Sequence, residues 1–255
     1  MKKTIVLSLI FLLTTFHSIA KSENAITQVS TTGAVCESLY DGVISFADLK
    51  KLGDTGIGYF QKMDGEALCI DGKFYHFKVD GSAVEAKENE KTPFFTITFF
   101  KSSSENFTNR KFNLTQMKEY LKKMIPKKNS IYAIKITGTF SMIKARTFTR
   151  QFKPYASITQ VYKRRKEYSF SNIEGTLVGF YVPDFLANIN IPGFHFHFIS
   201  KDRTKGGHLL ALKVDSINIE VVESPEINIV IPDDSNFQKA DLSKYRKKEI
   251  SKIEK

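Results

Sequence analysis

The sequence lacks an apolar run long enough to cross a membrane, which takes roughly 20 residues. The longest candidate runs from Ile5 to Phe16, follows Lys2 and Lys3, and leads to the small residues of Ser18-Ile19-Ala20. This order is typical of a secretory signal peptide, so we expect residues 1–20 to be removed on export to the periplasm or medium. No cysteine directly follows the expected cleavage point, so the pattern predicts neither a lipid anchor nor any other stable membrane anchor.

Cysteine is scarce, with Cys36 and Cys69 as the only two in the chain. An exported protein allows them to pair, but a disulfide depends on a geometry that the sequence does not fix. Cys69 lies within the apolar stretch 67–70, where a thiol behaves as a small hydrophobic group. We therefore predict that the cysteines are buried and do not form a disulfide.

Acidic residues are outnumbered, at 27 against 38 lysines and arginines, which gives a net charge of +11. A basic surface can attract nucleic acid or anionic lipid. The basic runs, of which 163–166 is one, are scattered, and no nucleic-acid-binding motif accompanies them. Solvated faces that keep the protein soluble explain the charge better, so we expect no nucleic-acid partner.

Aromatic residues other than tryptophan are plentiful, and alternating apolar patterns favour β structure. We divide the chain into a polar linker (21–32), an N-terminal mixed-sheet half (33–165), a C-terminal β half (166–232) and a tail (233–255). Helices are predicted at 33–39, 45–52, 114–124, 156–168 and 240–253. Strands are predicted at 57–61, 66–70, 73–78, 94–100, 131–139, 176–182, 194–200, 208–214, 217–222 and 227–231.

Histidine is also rare, yet three of the four histidines outside the predicted signal lie within fourteen residues. Side chains alternate across a strand, so His195 and His197 face one way and the phenylalanines around them face the other. A turn over 202–207 precedes His208, so a paired second strand would bring the third imidazole close. Three histidines with room for water or substrate are typical of a catalytic zinc site.

Several alternatives fit the same residues. The strand could be an ordinary half-buried one with hydrogen-bonded histidines, and manganese, iron or nickel could replace zinc. An exported zinc hydrolase would use the same ligands to activate water, although the sequence contains no His-Glu-x-x-His motif. A non-catalytic metal-binding protein is the third option, but structural zinc sites usually have four ligands and favour cysteine.

The histidine segment resembles the zinc-binding stretch of acetolactate decarboxylases. Further short motifs match that family in order over essentially the whole expected mature chain: Asp64-Gly65-Glu66, Thr92-Pro93-Phe94, Arg146-Thr147, Lys153-Pro154-Tyr155, Gly175-Thr176, Pro192-Gly193-Phe194-His195-Phe196-His197-Phe198 and Gly206-Gly207-His208. The resemblance implies an α+β fold of two β-rich halves, a mixed sheet plus a smaller sheet or barrel, with flanking helices. It also implies a metal site near the junction of the halves and a homodimer.

The resemblance further implies the roles of individual residues. The zinc ligands are His195, His197 and His208, and Glu66, Arg146 and Glu254 are the catalytic residues. The implied reaction converts 2-acetolactate to acetoin, with Zn²⁺ as a Lewis acid on the ketone and hydroxyl oxygens. The sequence departs from the family's pattern at three positions: Tyr59 stands where threonine is expected, Lys144 where arginine is, and Thr149 where proline is.

Overall fold

The structure, a computed structural model, describes residues 23–102, 104–244 and 249–250. Fourteen strands are found among these residues. They are β1 (Ile26–Val29), β2 (Ile44–Ser45), β3 (Thr55–Tyr59), β4 (Glu66–Ile70), β5 (Lys73–Phe77), β6 (Ala83–Glu85), β7 (Lys91–Thr92), β8 (Phe95–Thr98), β9 (Asn106–Thr108), β10 (Ile131–Thr147), β11 (Lys166–Val182), β12 (Gly193–Ser200), β13 (Gly206–Ser224) and β14 (Ile227–Val230).

The described helices are short, and most begin at a residue whose side chain caps the first turn. They are α1 (Thr32–Cys36), α2 (Phe46–Leu49), α3 (Leu114–Met124), α4 (Ile158–Lys163) and α5 (Ser235–Lys239), with single 3-10 turns at Gln61–Met63 and Asp184–Leu186. In α3, Asn113 and Gln116 form a reciprocal capping box that satisfies two backbone N–H groups. None of the described helices is long and apolar enough to span a bilayer.

Two sheets form most of the molecule. The first has seven strands in the order β14-β1-β8-β3-β4-β5-β6, and its β14–β1 pair is parallel while its other pairs are antiparallel. The second has the order β10-β11-β12-β13-β9. Because β10 also pairs with β13, four strands of the second sheet close into a ring. The second sheet therefore leaves few unpaired backbone groups along its long strands.

The two faces of strand β4 pack in separate hydrophobic clusters. On β4, Leu68 and Ile70 pack in a cluster shared with Val178, Phe180 and Ile199 of the second sheet. Ala67 and Cys69 alternate with them and pack on the opposite face, beneath α2. Glu66 shares the period-2 register of Leu68, so its side chain lies on the face that meets the second sheet. A third cluster lies between the ring and α3.

Much of the predicted organisation is confirmed. The α+β class, with a mixed sheet, a smaller barrel-like sheet and flanking helices, is what the structure shows. Strand 66–70 and helix 114–124 have the predicted bounds. The hairpin turn at Asp71-Gly72 is also present, with positive φ at both residues, as a primed turn requires. Both cysteines are buried, and no disulfide joins them.

Other expectations were wrong. The predicted linker at 21–32 contains a buried strand, Ile26–Val29, which lies between β8 and β14. The helix expected at 156–168 is shorter, since Lys166 begins β11, and Ala240 is extended rather than helical. The expected division at 165/166 also differs from the sheets: β9 and β10 belong to the second sheet and β14 to the first. These long-range pairings have no local signal.

Candidate metal centre

The site is built on three neighbouring strands of the second sheet. In the antiparallel register, His197 on β12 lies opposite His208 on β13, and His208 lies opposite Arg146 on β10. Residues directly opposite each other project their side chains to the same face. The pairing therefore places three functional side chains in a row across the sheet. His195, two residues before His197 on β12, lies on the same face.

The three imidazoles converge. Ring centroids are separated by 5.0 Å for His195 and His197, 4.8 Å for His195 and His208, and 5.4 Å for His197 and His208. Nε2 of His195 lies 3.0 Å from Nδ1 of His208. One nitrogen from each ring falls within 4.8 Å of the others, and all three residues are buried. The phenylalanines that alternate with His195 and His197 along β12 point to the interior of the closed ring of strands, as the alternation predicts.

The hydrogen bonds of His197 fit a metal ligand. Its Nδ1–H donates to the carbonyl oxygen of Ala67 at 2.9 Å, which fixes the tautomer and leaves a lone pair on Nε2. That Nε2 is buried and makes no hydrogen bond with any described residue. A buried nitrogen without a partner costs free energy, so this Nε2 is expected to have one. In metal-ligating histidines, the ring nitrogen that does not bind the metal usually donates a hydrogen bond, often to a carbonyl oxygen. The donor set therefore suits a divalent metal such as zinc.

Glu66 and Arg146 lie beside the histidines. Both side chains are fully buried, and Arg146 Nη1 donates to Glu66 Oε1 in a short ion pair across the two sheets. The other carboxylate oxygen of Glu66 lies 3.6 Å from Nε2 of His197. The acidic group is thus held with one oxygen on the arginine and the other facing the imidazole that has the lone pair.

Thr147, Phe148 and Tyr162 hold this pair in place, and sequence reasoning gave none of them a role. Thr147 Oγ1 accepts from the backbone N–H of Glu66 at 3.3 Å and donates to the carbonyl of Phe77 at 2.9 Å, which joins the end of β10 to the first sheet. The guanidinium carbon of Arg146 lies 4.6 Å from the ring centroid of Phe148 and 5.6 Å from that of Tyr162. Neither aromatic residue carries a pattern that would mark it as part of a site.

Burial makes the imidazoles neutral. Desolvation, together with the charge of Arg146, lowers the pKa of His197 to about 3, although the hydrogen bond to Ala67 acts in the opposite direction. Desolvation likewise holds the pKa values of His195 and His208 well below the ordinary value near 6.5, with contributions from Arg146 and Lys118. Neutral imidazole is the form that binds metal, so the environment favours the ligating state.

A small cavity of about 210 Å³ opens onto the site, lined by Leu114, Lys118, Phe194, His195, Phe196, His208, Leu209 and Leu210. A larger cavity of about 510 Å³ lies elsewhere, beside Asp41 and Tyr155, and none of the predicted site residues lines it. We assign function to the smaller cavity, because chemistry depends on the groups that line a cavity and not on its volume. Glu254 lies outside the described residues.

Comparison with known proteins decides the family. The model of the alpha-acetolactate decarboxylase family matches residues 26–244. The chain belongs to the alpha-acetolactate decarboxylase family. The alpha-acetolactate decarboxylase of Brevibacillus brevis is 39% identical over 82% of this chain and 74% of its own length, and that of Methylococcus capsulatus is 34% identical over 86% of this chain and 84% of its own length.

A solved structure agrees with this assignment. The crystal structure of alpha-acetolactate decarboxylase from Bacillus subtilis strain 168 superposes with a TM-score of 0.87 at 31% identity, and the match covers 90% of this chain and 98% of that one. Membership of the family supports a decarboxylase, and the three buried histidines of this chain form a group that could bind a metal.

Positions that depart from the family's expected pattern have structural partners here. Tyr59 is buried and packs against Phe94 and Phe148, at centroid distances of 5.6 Å and 6.0 Å, so its ring fills space next to the Arg146 contact. Lys144 pairs with Glu167 at 2.7 Å on the partly exposed side of β10. Both substitutions lie around the site and replace none of its histidines.

Proposed function

We propose that the protein decarboxylates 2-acetolactate to acetoin and depends on Zn²⁺ held by His195, His197 and His208. The observation that supports this most directly is the convergence of three buried, neutral imidazoles beside the Glu66–Arg146 pair in a member of this family. When bound, the metal would supply Lewis acidity to the substrate's ketone and hydroxyl oxygens.

The chain's own residues have separate tasks in this reaction. The bond between the carboxylate carbon and the hydroxyl-bearing carbon breaks, and its electron pair moves into the neighbouring ketone, so no organic cofactor is needed. Arg146 offers a planar set of donors that orients the substrate's carboxylate or an adjacent oxygen. Its plane is held by Glu66 on one edge and by Phe148 on one face.

A proton must then reach the carbon that lost the carboxylate. Glu66 is suited to deliver it, because its second carboxylate oxygen faces the histidine group. Glu254 is the other candidate that the family resemblance offers. Replacing each separately by glutamine distinguishes them, since only the proton donor's loss should slow conversion while the enzyme still binds substrate.

One experiment tests the proposal as a whole. The purified protein is assayed for bound metal and for acetoin formed from racemic acetolactate, before and after chelation. His197→Ala should lose both metal and activity, while His76→Gln, at a buried histidine outside the metal group, should keep both. Bound metal without acetoin would overturn the decarboxylase proposal and favour a hydrolase or a metal-sequestering protein. A protein that binds no metal would overturn the metal site itself.

Two further properties belong to the same proposal. We propose that the protein is exported after removal of residues 1–20, and the N-terminal sequence of material recovered from the periplasm or medium tests this. We also propose a homodimer, for which light scattering of the purified protein gives the mass. A mature N-terminus at Met1 or a monomeric mass would contradict the respective statement.

A further inference from the structure

The proposed reaction uses side chains from two different sheets. Glu66 belongs to β4 of the first sheet, whereas Arg146 and His197 belong to β10 and β12 of the second. One carboxylate oxygen of Glu66 pairs with Arg146, and the other lies 3.6 Å from Nε2 of His197. The usefulness of this carboxylate therefore depends on how accurately the two sheets are held relative to each other at this point.

A hydroxyl group joins the two sheets at that point. Thr147 follows Arg146 at the end of β10 and is completely buried. Its Oγ1 accepts from the backbone N–H of Glu66 at 3.3 Å and donates to the carbonyl oxygen of Phe77 at 2.9 Å. Glu66 and Phe77 lie directly opposite each other in the β4–β5 pair, so this hydroxyl contacts both strands of the hairpin.

Consecutive residues of β10 thus hold Glu66 at both ends. Arg146 binds the carboxylate, and Thr147 binds the backbone amide. A carboxylate that is held only at its tip is compatible with more than one backbone position, because the side-chain torsions of glutamate can adjust together. The second contact, at the backbone, removes that freedom and keeps the free-facing oxygen of Glu66 directed at His197.

The surroundings of the hydroxyl leave room for this contact. Gly65, next to Glu66, has a φ of +92°, and a Cβ atom there would lie 3.1 Å from Oγ1 of Thr147. A larger residue would crowd the hydroxyl as well as strain the backbone. On the other side, the ring of Phe77 lies at a centroid distance of 6.3 Å from that of His197. The contact therefore anchors backbone on two strands that lie beside the metal group.

We propose that Thr147 is a positioning residue for the reaction, because its hydroxyl fixes the Glu66 backbone across the two sheets and keeps the carboxylate in place between Arg146 and the metal group. This inference rests on the proposed function. Thr147 acts through Glu66, while Arg146 and the histidines keep their own roles in binding. Loss of the hydroxyl should therefore lower kcat and leave KM nearly unchanged.

Thr147→Val tests this with the metal-loaded protein, because valine keeps a similar shape and removes the hydroxyl. We expect kcat to fall about tenfold while KM changes less than about twofold, with equal metal content. Thr147→Ser keeps the hydroxyl and should retain most of the wild-type kcat. Amide hydrogen exchange of Glu66, followed by NMR in the metal-free protein, should be faster in Thr147→Val and close to the wild-type rate in Thr147→Ser.

The matched control is Thr98→Val. Thr98 is also completely buried, but its hydroxyl donates to the carbonyl oxygen of Ala25 at 3.1 Å, and none of the predicted site residues is involved. This variant should leave kcat and the exchange of Glu66 unchanged.

Three results would overturn the proposal: wild-type kcat in Thr147→Val, a Thr147→Ser variant as slow as Thr147→Val, or an equal loss of kcat in Thr98→Val. If the wild type forms no acetoin, the proposed function fails. Exchange at Glu66 still tests the contact in that case, since an unchanged rate in Thr147→Val would show that the hydroxyl does not hold this backbone.

Discussion

At the residue scale, the feature that costs most in desolvation is the Glu66–Arg146 ion pair. Two opposite charges are fully buried between the sheets. A buried pair contributes little net stability, because its attraction mainly offsets the desolvation of both groups. Breaking it by removing one partner is different, since the other charge is left in an apolar setting. The pair is better explained by its position beside the histidines than by any contribution to folding.

Arg146→Met should lower the free energy of unfolding by about 3 kcal/mol, because the Glu66 carboxylate then stays buried without its main counter-charge. Urea denaturation of the metal-free protein measures this. Adding Glu66→Gln to the same variant should recover most of the loss, while activity stays absent in both. If the double variant is no more stable than the single one, the arginine acts through packing rather than charge.

The buried histidines make stability depend on pH. Their folded pKa values lie below the ordinary value near 6.5, with that of His197 at about 3. The unfolded chain therefore binds more protons than the folded one at acidic pH, and stability is present above pH 6.5 and is lost as pH falls towards the folded values. Within that window, each such histidine should lower the free energy of unfolding by about 1.4 kcal/mol for each unit by which the pH falls.

Urea midpoints of the metal-free protein between pH 8 and pH 5 test this sign and slope. We expect a plateau above about pH 7 and a steep decline below about pH 6.5. His197→Gln removes one titrating group, so its decline should be shallower than that of the wild type. A stability that rises as pH falls would contradict the buried, neutral state of these imidazoles.

At the scale of elements, short-range patterns predicted best. The alternation of histidine and phenylalanine over 194–198 correctly predicted which side chains share a face. The turn residues Asp71-Gly72 correctly predicted the β4–β5 hairpin. Length was harder to predict. β13 runs without a break from Gly206 to Ser224, although two separate strands were expected at 208–214 and 217–222. Its continuity depends on pairing with β10, including register shifts near Phe140 that no local pattern encodes.

Gly206 shows how closely β13 approaches the first sheet. A Cβ atom there would lie 2.2 Å from the ring of Phe77, and Phe77 packs next to His197 at a centroid distance of 6.3 Å. Gly206→Ala should therefore push Phe77 towards the metal group and weaken metal binding at least tenfold, as measured by competition with a chelator. Gly33→Ala is the control, since its nearest neighbour is at an ordinary 3.5 Å and affinity should stay the same.

At the scale of the whole molecule, the site depends on residues that the sequence keeps far apart. Glu66 and the histidines are separated by more than a hundred positions, and only the packing of the two sheets brings them together. Spacing predicted the three histidines because two adjacent strands carry them. Glu66 and Arg146 were each named as site residues from the family resemblance. Their ion pair, the closure of the second sheet into a ring and the position of α3 at the cavity were predicted neither by spacing nor by the resemblance.

Ile250 also joins distant parts of the chain. Ile250 is buried in a cluster with Tyr59, Phe148 and Val161, and Phe148 is the ring that packs on Arg146. Burial of an isoleucine side chain is typically worth about 2 to 5 kcal/mol relative to alanine. Ile250→Ala should therefore weaken the packing of this cluster and reduce its support for the arginine, with the global fold retained.

We expect Ile250→Ala to lower kcat about tenfold or more while metal content changes little. Glu254→Gln should lower kcat, with the packing of Ile250 unchanged, if Glu254 takes part in proton transfer. Protease digestion separates the two cases, because only Ile250→Ala should speed cleavage at residues 249–250. The matched control is Ile231→Ala, at a side chain that is 56% exposed, which should leave kcat and cleavage unchanged. Full activity in Ile250→Ala would show that the reaction does not depend on the packing of Ile250.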